Sequence, residues 1–226
     1  MKVYKIIGAI ILVVVISDSC ENEDNTFIKE EYSYKSVVIG TQEWMSEDLK
    51  NNVFCNGDPI PEIREVSQWT SLKSAAWVYY NNDQLNNETF GKLYNWYAVN
   101  DKRNICPCGW HVPSYGEWEQ LIEYLGGLDE AGGKMKSIGT IQSNNGLWYE
   151  PNTGATNSSG FSGIPNGARG DNGAFGGNPT NGYWWMSTEY SPNPEAWFIG
   201  LSSDNEKVFR NALSKNYGYA VRCVKD

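Results

Sequence analysis

The chain has 226 residues, 18 basic against 27 acidic, for a formal net charge of −9. That is room for one large domain or two small ones, and the acidic balance argues against general nucleic-acid binding, which needs a basic stripe to displace counterions from phosphates. Aromatics at 14%, including 10 Trp and 14 Tyr, exclude disorder over most of the chain, and a single His excludes chemistry that needs two or three imidazoles.

The first nineteen residues read as a secretory leader. Lys2 and Lys5 form a positive start, and Ile6 to Ile16 is a continuous apolar run of eleven. A bilayer span needs about 20 apolar residues, so this run is too short to cross and fits a leader's apolar core. Ser19 then precedes Cys20. The junction resembles the relaxed lipoprotein cleavage sites of the Bacteroidetes, with Ser17 and Asp18 departing from the usual pattern, and Cys20 is the expected lipidation site. Residues 20–33 read as a lipidated Cys followed by an acidic tether. Glu21-Asn22-Glu23-Asp24-Asn25 resembles the surface-export signal of such lipoproteins, which implies an outer-membrane, lipid-anchored, cell-surface location. Loss of Lys2, Lys5 and Asp18 with the leader makes the mature chain one unit more negative.

Residues 34–226 read as a single domain. Ser36-Val37-Val38-Ile39, Gly40-Thr41-Gln42 and Glu43-Trp44-Met45 predict a β-hairpin. Asn51 to Ile63 is loop-like, with Asn56-Gly57 and prolines at 59 and 61, and Trp69 to Ala76 predicts a short helix. Leu93, Trp96 and Tyr97 fall at helical spacing, predicting one or two turns over 92–99. The strongest helix is 115–125: Ser114 and Glu117 form a capping box, Trp118, Leu121, Ile122 and Leu125 make one apolar stripe, and Gly126-Gly127 ends it. Gly132 to Asn181 is rich in Gly, Asn and Ser and has little periodicity, which suggests a functional or side-chain-ordered stretch. Strands are expected at Tyr183–Thr188, Trp197–Leu201, Lys207–Leu213 and Tyr219–Val224, with Ser202 to Glu206 joining the middle two. Strand alternation at Trp184-Trp185 sends one ring to the core.

With Cys20 set aside, Cys55, Cys106, Cys108 and Cys223 remain. In an exported protein four cysteines point to two disulfides. Pro107 makes a bridge within Cys106-Pro107-Cys108 difficult, so one of that pair reaches Cys55 and the other Cys223. Zinc is the rival use, but Cys-X-Cys is not the usual ligand spacing. No phosphate-binding, dinucleotide-binding or nucleophile-elbow motif is present. His111, between Trp110 and Val112, reads as a hydrogen-bonded structural residue, and Glu119 and Glu123 as a solvated helix face. No catalytic residue is assigned. The aromatics beside loops, Trp148, Tyr149, Phe175, Tyr190 and Tyr217, are the candidate ligand-binding residues, since such rings stack on sugars or clamp peptides. No cofactor is called for, although oxygen-rich Asn/Asp loops are able to hold structural calcium.

Several stretches resemble the Fibrobacter succinogenes major paralogous domain family. They are Ile39 to Leu49, Leu93 to Val99, Cys106 to Ser114, Asn152 to Phe161 and Gly218 to Val224, in the family's order and across nearly all of 37–226. That family looks distantly similar to the formylglycine-generating enzymes, so the resemblance implies an α+β, irregular C-type-lectin-like (sulfatase-modifying-factor-like) fold with few helices, short antiparallel strands and long ordered loops. It also implies that Cys106 pairs with Cys223, leaving Cys55 for Cys108. The catalytic cysteine pair of those oxidases finds no counterpart, which makes an enzyme the remote reading. The expected function is non-catalytic: a surface lipoprotein that binds a glycan, a peptide or a surface partner. The alternative is an accessory subunit of a TonB-dependent outer-membrane nutrient importer, docked on the transporter and its lipoprotein lid.

Overall fold

The first predicted hairpin is formed by β1 (Ser36–Ile39) and β2 (Gln42–Met45), paired in register from Ser36–Met45 to Ile39–Gln42. The computed structural model describes residues 32–191 and 194–226; the leader, Cys20 and the tether through residue 31 lie outside the described residues. Further along come α1 (Val66–Ser71), β3 (Trp77–Val78), α2 (Asn87–Phe90), β4 (Leu93–Tyr94), α3 (Trp96–Val99), β5 (Trp110–His111), α4 (Tyr115–Tyr124) and α5 (Ala131–Met135). They are followed by β6 (Ala168–Arg169), β7 (Phe175–Gly176), β8 (Asn181–Tyr190), β9 (Glu195–Ser202), β10 (Val208–Ser214) and β11 (Val224–Lys225). The sheets have orders β1-β2-β11-β5 and β10-β9-β8, with two-stranded pairs β3-β4 and β6-β7, and every strand pairing is antiparallel. The fold is therefore α+β, dominated by short antiparallel strands, and no helix among the described residues is long and apolar enough to cross a membrane.

Helix α4 follows from its local sequence. The Ser114 side chain accepts from the Glu117 amide while the Glu117 carboxylate accepts from the Ser114 amide, which satisfies two otherwise orphan donors. At the other end Gly127 N–H donates to Ile122 O and Gly126 N–H to Glu123 O, and both glycines hold positive φ. That is a Schellman closure, reachable without strain because neither residue carries a Cβ.

Two helical expectations are corrected. The helix predicted over 69–76 lies over Val66–Ser71. After Ser71 the backbone is extended and recruited elsewhere: Asn95 Oδ1 accepts from Ala76 N–H, Asn95 Nδ2 donates to Ser74 O, and Trp77 N–H donates to Pro61 O. Over 92–99, Leu93 and Tyr94 form a strand against Val78 and Trp77, and only Trp96–Val99 is helical. Asn95 makes the break by capping Ala98 N–H. The apolar spacing that suggests one helix arises from two elements that both face the core.

Strands β8 and β9 are longer than expected, β10 is displaced by one residue at the same length, and β8 has core on both faces. Trp184 and Trp185 do point to opposite sides, yet both are fully buried, so the expectation of a single core ring is corrected. Trp184 joins Trp44, Trp118, Trp148 and Phe161, and Trp185 joins Tyr94, Trp96, Phe198 and Tyr219. A buried Trp removes roughly 150–250 Å² from water, worth about 4–6 kcal/mol of transfer free energy. The predicted strand 219–224 is only partly laddered because it changes partner at almost every residue. Tyr219 bridges Tyr94, Ala220 bridges Trp184, Val221 O accepts from Leu49 N–H, Cys223 O from Met45 N–H, and Val224 pairs with Trp44 and His111. The segment thereby joins the sheets to each other.

Charge is buried in the same region. The Asp48 and Arg222 side chains are 1% and 0% exposed and paired. Asp48 also accepts from Trp184 Nε1 at 2.8 Å and Asn166 Nδ2 at 2.8 Å, so its lone pairs are used, and Arg222 lies 4.2 Å from the Phe161 ring centre. Disulfides Cys55–Cys108 and Cys106–Cys223 are both formed, closing sequence separations of 53 and 117. The second ties the central segment to the stretch just before α4.

Candidate ligand-binding groove

An open groove of about 740 Å³ runs between the segment after α1, helix α3 with the turn beyond it, and the turn after β10. Its volume lies within the roughly 300–1,000 Å³ typical of ligand clefts. Helix α3 is placed by the Asn95 cap and by Trp96. The Trp96 amide donates to Lys215 O at 3.0 Å and its indole N–H to Met186 O at 2.9 Å, so the ring is fixed in the floor, 2% exposed. Tyr97, the next residue, turns the other way and stands half-buried in the groove wall, with the Lys73 ammonium 5.9 Å from its ring centre.

The turn after α3 is built by its own side chains. Asp101 accepts from Arg103 N at 3.0 Å, Nε at 2.9 Å and Nη2 at 2.7 Å. Arg103 reaches Asp58 at 3.1 Å with Nη1 and stacks 4.0 Å from the Phe54 ring centre. Arg103 holds the Asp101 carboxyl below its ordinary pKa, and Asn56 and then Arg103 do the same for Asp58. On the opposite side Lys215 lies 4.7 Å from the Trp96 ring centre and pairs with Glu189. Lys73, Lys102, Arg103 and Lys215 line the groove against one carboxylate, Asp101, with Ser74 and Asn100 as neutral hydrogen-bonding groups.

A smaller cleft of about 290 Å³ lies beside Glu47, Lys50, Glu88, Ile138 and Leu147, with Asp48 and Arg222 beneath it. Those two are committed to each other and to Trp184, Asn166 and the Phe161 carbonyl, so the cleft's base serves the scaffold.

The five aromatic candidates do not converge. Trp148 is fully buried, donating its indole N–H to Gly163 O at 3.0 Å and Ser137 Oγ at 3.2 Å. Its assignment as a ligand-binding ring is corrected: the 137–163 loop folds back over it and uses it as core. Tyr149 is 50% exposed, on the same loop as Ile138 and Ile141. Phe175 is half-buried against Tyr80 and Arg169, Tyr190 packs edge-on to Trp197, and Tyr217 lies 5.6 Å from Tyr219. Among the described residues no two of the five share a ring contact, and none lines the groove. Sequence reasoning missed Lys73, Tyr97, Asn100, Lys102, Arg103 and Lys215. The one local signal was Lys102-Arg103, a basic pair in an acidic chain.

His111 sits between two carboxylates, Nε2 at 2.7 Å from Glu117 and Nδ1 at 2.6 Å from Asp226. Burial draws its pKa down, but Asp226 and Glu117 more than offset this and the net shift is upward. Glu117 is held below the usual carboxylate range: burial opposes this, and Ser114 and His111 outweigh it. The arrangement binds the end of the chain to α4. Glu119 faces Arg210 and pairs with it, so that part of the expected solvated face is engaged.

Among the described residues no three His, Cys, Asp or Glu side chains gather as a metal site. One cradle of backbone carbonyls is filled by an internal cation instead. The buried Lys136 ammonium donates to Thr153 O, Ser202 O and Asn205 O at 2.8–2.9 Å, with its pKa pulled down to about 8 by burial. It pins α5, the 153 loop and the β9–β10 turn together.

Residues 37–225 match the model of the Fibrobacter succinogenes major domain. No curated protein and no solved structure matches the chain.

Proposed function

The chain belongs to the Fibrobacter succinogenes major domain family, and from that premise we propose that it is a non-catalytic, surface-anchored lipoprotein that holds an extracellular glycan in the groove beside Tyr97. The groove carries the reading: an aromatic face, an amide, a hydroxyl and several charged groups line one open cleft of about 740 Å³. A ring offers the C–H face of a sugar a stacking partner, and the polar groups meet its hydroxyls. The short antiparallel strands, few helices and long ordered loops support a C-type-lectin-like scaffold. All four described cysteines are engaged in disulfides, which fits an oxidising compartment and leaves no free thiol among the described residues for oxidase chemistry. The leader and Cys20 support the membrane anchor, which lies outside the described residues.

A second reading, docking on an importer complex, is favoured by one feature. Ile138, Ile141 and Tyr149 are 60%, 49% and 50% exposed on a single loop.

The test is a glycan array probed with the parent chain and with Tyr97→Ala, beside membrane fractionation of Cys20→Ala. Array signals lost in Tyr97→Ala, with Cys20→Ala released from membranes, support the proposal. Identical array profiles for parent and Tyr97→Ala would remove the groove from it, and membrane retention of Cys20→Ala would remove the anchor.

A further inference from the structure

We propose that the groove takes an acidic saccharide, a glycan bearing carboxylate or sulfate groups, with Lys73 and Lys102 as its anion contacts and Tyr97 as its stacking face. This rests on the reading of the groove as the ligand site and goes further by naming the charge class of the ligand.

The argument begins from charge placement. The chain as a whole is acidic, at −9, yet the groove lining holds four cations and one carboxylate. Near physiological ionic strength, fields from exposed charges fade over about 8 Å. A ligand inside the groove therefore responds to its lining more than to the distant acidic surface. The four cations are not equivalent. Arg103 is held by Asp101 and Asp58, and Lys215 by Glu189. Among the described residues Lys73 and Lys102 have no carboxylate within ion-pair distance, and both line the groove. Two lysines of the lining thus stand outside any ion pair among the described residues, Lys73 beside the Tyr97 ring and Lys102 near enough to Asp101 to act on its charge.

The second part is the aromatic. Tyr97 is half-buried in the groove wall, and Lys73 approaches its ring at 5.9 Å. A sugar ring on that face brings an exocyclic carboxylate or sulfate toward the ammonium, while Asn100 and Ser74 remain for ring hydroxyls. A neutral saccharide stacks equally well but offers neither ammonium group an anion. Acidic peptides are recognised along a strand edge or by clusters of arginines, and the one arginine of this groove is already held by Asp101 and Asp58. No strand residue lines the groove, and its apolar surface is limited to Ala75 and the two aromatic residues of α3.

The experiment measures binding of the detergent-solubilised full chain to polygalacturonate, dextran sulfate, neutral dextran and polyglutamate, at low and high salt. The variants are Tyr97→Ala and the double reversal Lys73→Glu/Lys102→Glu, each checked for a parent-like thermal midpoint. We expect an acidic saccharide to bind best and to weaken with salt. The double reversal should lose about a hundredfold in affinity, since a hydrogen bond to a charged group is worth at least a factor of about ten. Tyr97→Ala should lose about tenfold, the scale of one stacked ring. Polyglutamate binding as tightly, with Tyr97→Ala unaffected, would overturn the saccharide assignment in favour of an acidic peptide. Neutral dextran binding as tightly as the acidic polymers, sensitive to Tyr97→Ala and indifferent to charge reversal, would overturn the acidic class while leaving the groove as the glycan site. No binding of any polymer, or binding unmoved by every groove variant, would reject both.

Discussion

Replacing Asp48 with alanine isolates the energetic role of the buried ion pair. In the parent, Asp48 Oδ1 accepts from Arg222 Nε at 3.0 Å and Trp184 Nε1 at 2.8 Å, and Oδ2 accepts from Asn166 Nδ2 at 2.8 Å. Asp48→Ala leaves the fully buried Arg222 guanidinium with the Phe161 carbonyl as its one remaining hydrogen-bond partner among the described residues, and orphans the Trp184 and Asn166 donors. Breaking a buried pair by removing one partner costs about 3–5 kcal/mol, and each further unsatisfied donor about 1–3 kcal/mol. The expected loss is therefore at least about 5 kcal/mol, the low end of that sum and a third or more of the roughly 5–15 kcal/mol that holds most domains folded. With a urea slope of about 2 kcal/mol per molar, the unfolding midpoint falls by at least about 2.5 M. The assay is equilibrium urea unfolding of the oxidised protein, followed by tryptophan fluorescence. Asp48→Asn, which keeps an acceptor but loses the charge, should fall between the two. Arg222→Met in the Asp48→Ala background should recover about 2 kcal/mol, because it removes the stranded cation. An Asp48→Ala chain within about 1 kcal/mol of the parent, or strictly additive effects in the double variant, would refute the reasoning.

Four further outcomes follow from other parts of the fold. Denatured, unreduced Cys20→Ala chain should show no free thiol, and a clear titre would reject the two bridges. By loop closure, removing Cys106–Cys223 as paired alanines should cost about 5 kcal/mol and removing Cys55–Cys108 about 4 kcal/mol, measured by the same unfolding assay. His111 should titrate above its ordinary value of about 6.5. Because the folded-state pKa is the higher one, the stability it contributes is complete below about pH 6.5 and is lost as pH rises through the folded value. An NMR titration placing His111 at or below about 6.5, or unmoved in Glu117→Gln, would contradict this. Ser114→Ala should destabilise the protein by about 1 kcal/mol through loss of the α4 cap, and an unchanged unfolding midpoint would count against it.

Local chemistry was legible in the sequence where neighbouring residues complete each other's bonding. The capping box at Ser114 and Glu117, the glycine closure after α4 and the β1–β2 hairpin each lie within a few residues, so their donors and acceptors are visible in order. The family resemblance placed both disulfides, and cysteine count with compartment supplied the reason for them. What tertiary structure alone decided is which face of each element finds a cover. Trp148 stands in a Gly/Asn-rich loop like any exposed ring, and is buried because that loop returns across it. Trp184 and Trp185 alternate as a strand requires, but only the presence of core on both sides of β8 buries the pair. Asp48 and Arg222 are 174 residues apart, and nothing near either marks it as buried. The groove is the same case. Its lysines come from three separate segments, brought together by the Asn95 cap and by the Trp96–Lys215 backbone bond. A single chain segment states its own hydrogen-bonding needs, whereas burial and site formation are properties of what packs against it.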